Sequence, residues 1–96
     1  MNDIAIRHSR VRNRFETEVE GHAAYLEYSL EGGTMAILHT IVPDEIGGRG
    51  IAGRLMQAAI DHARTEGLEI DPQCAYAEAW MRRHPEYSGL MMRSRG

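Results

Sequence analysis

The sequence predicts an α+β fold, in which an antiparallel meander of strands is followed by a β-α-β crossover and a C-terminal helix. Apolar and polar residues alternate through the first half of the chain, and after residue 50 the apolar residues recur every three to four positions. Alternation is typical of half-buried strands, whereas the longer period is typical of helices. The 96 residues are enough for one domain, which we expect to span residues 1–96.

Three strand segments and two turns make up the predicted meander. The segments 15–19 and 25–30 alternate apolar and polar residues. Gly21-His22 is a weak turn signal between these two segments, and Gly32-Gly33 is a clear two-residue hairpin turn after them. The segment 34–42 is apolar on both faces, which predicts a central strand.

The second half is predicted to be helix, strand and helix. An amphipathic helix runs from about Gly50 to Thr65. Residues 68–71 form a short strand ended by Pro72, and a second helix follows and stops at Pro85. A helix between two strands of one sheet requires a crossover, so the two strands that flank the first helix are expected to be parallel.

Composition bounds the possible functions. The net charge of -3 disfavours nucleic acid as a partner, and no apolar run is long enough for a membrane span or a signal peptide. The single cysteine, Cys74, excludes an internal disulfide and fits the reducing cytoplasm, where we expect the protein. No histidine and carboxylate cluster has ligand spacing, so we expect no metal site. Either a monomer or a homodimer is compatible with so small a sheet, because an exposed strand edge can pair with a second copy.

The stretch IGGRGIAG, residues 46–53, contains the motif that points most directly to a ligand. Gly48, Gly50 and Gly53 match G-x-G-x-x-G, the fingerprint of dinucleotide binding. A helix N-terminus can hold a pyrophosphate because its first N–H groups are unpaired and its dipole favours an anion. The structural alternative is that the glycines only form a left-handed turn and allow close helix packing. A P-loop is excluded, because it requires a lysine and the chain has none.

A dinucleotide site of the Rossmann type fits the surroundings of this motif poorly. Asp71 does end a strand about 20 residues after the glycines, where a ribose-binding acid is expected. However, Pro43 to Gly47 separate the preceding strand from the first glycine, and that strand closes a meander. Only one crossover fits in the chain, whereas a dinucleotide requires a crevice between two such halves. We therefore expect another pyrophosphate ligand.

Strand, short loop, R/Q-x-x-G-x-G/A and long helix together resemble the acyl-CoA-binding motif of the GNAT acetyltransferases. Gly47 to Ala52 occupy this frame, with Gly50 and Ala52 at its small positions. The segments HTIVPDEIGGRGIAGRLMQAAIDHA and PQCAYAEAWMRRHPEY resemble more specifically the minimal GNAT group, sometimes called YjdJ-type. This resemblance spans about Phe15 to Tyr87 and implies a GNAT-like mixed sheet.

The resemblance also implies an acetyl-CoA-dependent N-acetyltransferase, whose acceptor is an amine of a small molecule or a protein. In such folds the pantetheine arm lies between the two parallel strands, which here implies pairing with the backbone of Ile41 and Val42. The pyrophosphate would lie at the start of the helix. The cofactor-binding residues implied there are Gly48, Arg49, Gly50, Ile51, Ala52 and Gly53.

The sequence departs from the family pattern at one position of the motif. Gly47 stands where the family usually has arginine or glutamine, so that side-chain contact is absent. Arg49 or Arg54 are the residues available to replace it. The departure keeps a second function open, that of a non-catalytic module that binds CoA or acyl-CoA.

His39 and Cys74 are the candidate catalytic residues. Counted by alternation, the His39 side chain lies on the same strand face as Met35, Ile37 and Ile41, and an imidazole is the natural base near neutral pH. Cys74 is expected near the N-terminus of the last helix, whose dipole favours a thiolate. Either residue can instead be structural, as a core histidine or a buried thiol. Two routes are open: the amine attacks the thioester directly with His39 as base, or Cys74 is acylated first.

Tyr76 and Tyr87 are both candidates to protonate the leaving thiolate, and the sequence does not choose between them. His8, His22 and His62 are scattered along the chain and are expected to be solvated.

Overall fold

The fold is a mixed five-stranded sheet with two helices, seen in a computed structural model that describes residues 4–92. The strands, in their order across the sheet, are β1 (Arg7–Ser9), β2 (Arg14–Val19), β3 (His22–Glu31), β4 (Thr34–Ile41) and β5 (Glu69–Pro72). Helix α1 (Ile51–Glu66) connects β4 to β5, and helix α2 (Ala75–Arg83) follows β5. Short 3-10 helices cover Asp44–Ile46 and Pro85–Leu90.

The strand directions confirm the predicted class. Strands β1 to β4 are antiparallel neighbours, and β4 and β5 are parallel, with Thr34 opposite Glu69 and Ile37 opposite Pro72. The chain is therefore an antiparallel meander followed by one β-α-β crossover and a C-terminal helix.

The turns of the meander follow the glycines, with one correction. Gly32 and Gly33 join β3 to β4 with φ values of 57° and 83°, the left-handed pair that a tight hairpin requires. Between β2 and β3 the turn is Glu20-Gly21, one residue earlier than predicted, because His22 already pairs with Val19.

The apolar residues of the strands and helices form one buried cluster on one face of the sheet. Its strand members are Phe15, Ala24, Leu26, Tyr28, Met35, Ile37 and Ile70. Its members from α1 are Ile51, Leu55, Met56, Ala59, Ile60 and Ala63, and those from α2 are Ala77, Trp80 and Met81. The opposite face, which we call the outer face, carries Glu16, Tyr25, Glu27 and Ala36. None of these four is in the core, and neither helix of residues 4–92 packs on this face.

The prediction that His8 and His62 are solvated is wrong. The His8 ring stacks on Phe15 with centroids 4.2 Å apart and meets the edge of the His62 ring at 4.5 Å. Its Nε2 also hydrogen-bonds the hydroxyl of the buried Tyr28. Burial lowers the pKa of His8, and the neighbouring charges of His62 and Arg10 lower it further. These aromatic contacts hold the three-residue strand β1, which was not predicted, onto the sheet.

The edge of β5 is covered by the chain that follows α2. Met91 forms a parallel bridge with Ile70, and the Met92 N–H donates to the Ile70 carbonyl at 2.7 Å. Of the two outermost strands within residues 4–92, β1 is therefore the uncovered one. Neither helix in that range is long and apolar enough to span a membrane.

Candidate functional site

Strands β4 and β5 diverge after Ile37. The N–H groups of Gln73 and Cys74 both donate to the Ile37 carbonyl, at 3.0 and 3.1 Å, and the chain then turns into α2. Strand β4 continues to Ile41, still paired with β3 opposite Tyr25. No strand within the described range pairs with the other edge of this last part of β4. A gap therefore opens between the end of β4 and the start of α2.

A β-bulge lies at the same level as this divergence and changes the predicted face of His39. Ile37 pairs with Tyr28, whereas the next pair is His39 with Glu27, so Leu38 is an extra residue in β4. A bulge breaks the alternation of side chains. His39 shares the outer face with Glu27, and the prediction that it lies on the face of Ile37 is wrong. The side chain of His39 is exposed.

Cys74 lies on the other side of the sheet from His39. Its Sγ caps α2 by accepting the Ala77 N–H at 3.3 Å, and it lies 3.6 Å from the Thr40 hydroxyl. Thr40 is the cross-strand partner of the buried Leu26, which places both residues on the core face. The predicted position of Cys74 at the start of the last helix is confirmed. However, the sheet separates this thiol from the His39 imidazole.

The structure distinguishes the two tyrosines by their neighbours. Tyr87 accepts a hydrogen bond from Gln57 Nε2 at 3.1 Å and stacks on Trp80, beside the second and third turns of α1. The Tyr76 hydroxyl instead lies at the start of α1, where a Cβ added to Gly53 would be 3.7 Å from it. Burial raises the pKa of Tyr76; the charge of Arg83 acts in the opposite direction, and that of Cys74 raises it further. A phenol that keeps its proton near neutral pH thus lies between the first turn of α1 and the gap.

The glycine loop leads from the end of β4 into α1. Ile46 is fully buried and anchors the loop, while Gly48 and Gly50 adopt left-handed φ values of 74° and 75°. A Cβ at either glycine would meet no atom within 4 Å, so the space beside them is open. The first turn of α1 has unpaired donors: among residues 4–92, no acceptor contacts the N–H groups of residues 51–53. An anion with several oxygens is the ligand that such a loop suits.

Gly53 differs in position and conformation from Gly48 and Gly50. It lies in the first turn of α1 with helical geometry, and its missing side chain faces Tyr76 and Trp80 of α2. A Cβ there would make only ordinary van der Waals contacts, 3.7 Å from the Tyr76 hydroxyl and 3.9 Å from Trp80 Nε1, so helix packing alone does not require a glycine. Its N–H group still belongs to the unpaired set.

Both arginines that are available to replace the missing motif side chain already have partners. Arg49 makes a bidentate ion pair with Glu20, with Nη1 to Oε2 at 2.9 Å and Nη2 to Oε1 at 3.1 Å. Arg54 donates through Nη2 to the Ile4 carbonyl at 3.4 Å. Gly47 itself has an extended conformation, with φ -69° and ψ 162°, which does not require a glycine.

The comparisons with known proteins agree with this geometry. A family model described as GCN5-related N-acetyl-transferase matches residues 14–90. The chain belongs to the GCN5-related N-acetyltransferase family. Protein NATD1 of Xenopus tropicalis is 34% identical over 87 residues, which cover 88% of this chain and 80% of that protein. Protein NATD1 of Mus musculus is 35% identical over 85 residues, which cover 85% and 77%.

The fold is shared with a solved member of the GCN5-related type. The NMR solution structure of a GCN5-like protein from Staphylococcus aureus superposes with a TM-score of 0.76 and 28% sequence identity. The match covers 98% of this chain and 93% of that chain. The predicted resemblance to GNAT N-acetyltransferases and the predicted fold class are thereby confirmed.

Sequence reasoning missed two residues beside the gap. Thr40 contacts Cys74 only because Leu38 is bulged, and no local pattern marks that bulge. Glu20 reaches the glycine loop from 29 residues away in the chain, which no spacing rule predicts. Its signal in the sequence is a glutamate immediately before a turn glycine, where asparagine or aspartate is the usual residue.

Proposed function

We propose that the protein is an acetyl-CoA-dependent N-acetyltransferase. The observation that carries this proposal is the divergence of β4 and β5 beside a helix start with unpaired N–H groups. The gap offers a strand edge to a linear amide-containing arm, and the helix start offers donors to a diphosphate. A CoA thioester combines these two features in one molecule.

Successive parts of a bound CoA thioester would contact successive residues along the gap. The diphosphate would lie on residues 48–53, where the backbone is accessible and Arg49 adds a cation. The pantetheine amides would pair with the backbone of Ile41 and Val42 on the open edge of β4. The thioester would then lie near the bulge, between the outer face with His39 and the core face with Thr40 and Cys74.

The direct route uses groups on both sides of the gap. The acceptor amine attacks the thioester carbonyl carbon, its proton passes to the His39 imidazole, and the carbon–sulfur bond breaks. The leaving thiolate takes a proton from a donor on the core side. Tyr76 is the better placed of the two tyrosines, because it follows Cys74 by two residues, whereas Tyr87 lies beside the second and third turns of α1. The products are the acetylated amine and free CoA.

The position of Cys74 supports direct attack over an acyl-cysteine. A thiol nucleophile is activated by an adjacent base, and the base proposed here lies on the opposite face of the sheet. The contacts of Cys74 are instead Thr40 and the Ala77 N–H, which fix it as a wall of the gap.

The outer face is the surface from which the acceptor would approach. His39 is exposed there, and Glu27 is its cross-strand neighbour. Glu27 lies 4.0 Å from Arg14, whose guanidinium stacks on the Tyr25 ring at 3.9 Å. The carboxylates of this face suit a protonated amine, and the absence of a covering helix in residues 4–92 leaves room for a bulky one.

The second candidate function is a module that binds CoA or acyl-CoA without turnover. The residue that favours it is Gly47, which removes the side chain that the family motif usually supplies. Both functions require CoA binding, but only the acetyltransferase releases the free thiol of CoA from acetyl-CoA.

The deciding experiment measures free CoA released from acetyl-CoA in the presence of a panel of primary amines. We expect at least one amine to accelerate release, and His39→Gln to reduce that rate by about 100-fold while CoA binding is unchanged. His22→Gln, a half-buried histidine at the start of β3, is the matched control and should retain activity. Tight CoA binding with no amine-dependent release in the wild type would favour the non-catalytic module.

A further inference from the structure

The ion pair between Glu20 and Arg49 connects the β2–β3 turn to the glycine loop, beside a looser pair of His22 and Glu45 at 3.9 Å. Arg49 lies between the two open glycines of the loop, and Glu20 lies in the β2–β3 turn. The two guanidinium nitrogens contact the two carboxylate oxygens at 2.9 and 3.1 Å. The hydrogen bonds and the opposite charges favour the ionised form of both side chains. They lower the pKa of Glu20 and raise the pKa of Arg49.

The backbone of Glu20 gives a second and independent reason to examine this residue. Its φ is 52°, in the left-handed region that glycine, asparagine and aspartate favour, and it is the first of the two turn residues Glu20-Gly21. A glutamate there is an unfavourable choice for the turn itself. Such an outlier, when observed, indicates that the side chain serves another purpose.

Arg49 is also the single basic residue of the stretch 43–53, which contains Asp44 and Glu45. Both of those carboxylates precede the loop, and the next basic residue, Arg54, is directed to the Ile4 carbonyl. A guanidinium fork binds a carboxylate or a phosphate in the same bidentate geometry, with one partner at a time. In the structure, the Glu20 carboxylate occupies that fork.

We propose that Glu20 is a competitor for the ligand: its carboxylate occupies Arg49, and the diphosphate of CoA must displace it to bind the glycine loop. The inference rests on the proposed function, because it requires CoA at this loop. The exchange is feasible because exposed ion pairs are weak. Glu20 then sets the affinity of the loop for diphosphates and keeps Arg49 neutralised until one arrives.

The test is calorimetric titration of CoA at low ionic strength, where surface charges are least screened. Glu20→Gln preserves side-chain length and the turn backbone but removes the charge. We expect its Kd for CoA to be about two- to five-fold lower than that of the wild type. Glu45→Gln is the matched control, because it removes one charge beside the loop from a residue that does not contact Arg49, and its Kd should be close to that of the wild type.

A second pair of variants isolates the contact. Arg49→Gln should weaken CoA binding, and adding Glu20→Gln to it should bring no gain. An equal gain in CoA affinity from Glu20→Gln in the absence of Arg49 would overturn the proposal, as would a Glu20→Gln variant that binds CoA no more tightly than the wild type.

Dephospho-CoA, which lacks the 3′-phosphate, tests which phosphate Arg49 binds. Glu20→Gln should increase the affinity for dephospho-CoA as much as the affinity for CoA. An increase limited to CoA would overturn the assignment of Arg49 to the diphosphate.

These outcomes separate the inference from the proposed function. Wild-type binding of CoA without a gain in Glu20→Gln overturns the competitor role alone. Binding by Glu20→Gln but not by the wild type supports it strongly. Binding of CoA by neither protein overturns both.

Discussion

A negative charge introduced at Ala52 should stabilise helix α1 and weaken the binding of CoA. This residue lies in the first turn of α1, where an acidic side chain favours the helix dipole, and no acidic residue is present in that turn. We predict that Ala52→Asp stabilises the fold by about 0.3–1 kcal/mol and greatly weakens CoA binding by repelling the diphosphate. Urea unfolding and calorimetric titration measure the two effects.

The control for this variant is Ala52→Asn, which has nearly the same shape without the charge. It should bind CoA more tightly than Ala52→Asp. Equal affinity of the two variants would mean that the diphosphate does not approach the start of α1.

At the scale of residues, the sequence predicted backbone requirements better than side-chain faces. The left-handed glycines of the loop and the cap position of Cys74 follow from motif and spacing, and the structure has both. The face of His39 was wrong, because alternation is counted residue by residue and one extra residue, Leu38, reverses it. The pair of Glu20 and Arg49 depends on the folded sheet, and its one local sign is a glutamate immediately before the turn glycine Gly21.

Helix α2 depends on a cap that is also the only thiol of the chain. Serine is a favoured N-cap residue, so Cys74→Ser should keep the bond to the Ala77 N–H. We predict that Cys74→Ala loses about 1 kcal/mol of unfolding free energy, whereas Cys74→Ser loses less. Equilibrium urea unfolding of the two variants measures this difference.

The same two variants also test the route of transfer. Direct attack predicts that Cys74→Ser retains most of the amine-dependent release of CoA. A complete loss of release in a stable Cys74→Ser protein, together with an acetyl adduct on wild-type Cys74 in mass spectra, would contradict direct attack. CoA should also shield Cys74 from iodoacetamide, because the thiol lies at the proposed thioester position.

The elements that were predicted correctly are those with long and regular patterns. Strands β2 and β3 have clear alternation, β4 is a continuous run that is apolar on both faces, and α1 keeps its apolar period over four turns. Strand β1 has three residues, too few for a pattern, and its position depends on the contacts of His8 with Phe15 and Tyr28. The divergence of β4 and β5 was implied by the family resemblance, since composition alone contains no signal for it.

For the molecule as a whole, the His8 cluster predicts a loss of stability in mild acid. The folded-state pKa of His8 lies below its ordinary value of 6.5, because burial and the charges of His62 and Arg10 disfavour the imidazolium. The unfolded chain therefore binds this proton more readily than the folded one. The contribution to the unfolding free energy is complete above pH 6.5 and decreases as the pH falls through 6.5 toward the folded-state pKa.

Urea unfolding at several pH values between 8 and 5 measures this dependence, about the range in which histidine titrates. His8→Gln should show a weaker dependence on pH than the wild type, while His22→Gln, outside the cluster, should behave as the wild type does. An unchanged slope in His8→Gln would mean that other groups cause the acid sensitivity.

The central claim is that a CoA thioester binds between β4 and α2, with its diphosphate on the glycine loop. The most direct measurement is a titration of the ¹⁵N-labelled protein with acetyl-CoA, followed through its backbone amide resonances, with NAD as the comparison ligand. We predict saturable shifts that are largest at residues 48–53 and next largest at Ile41 and Val42, and much smaller shifts with NAD. Shifts of equal or greater size with NAD, or shifts with acetyl-CoA that avoid the loop and the end of β4, would contradict the account.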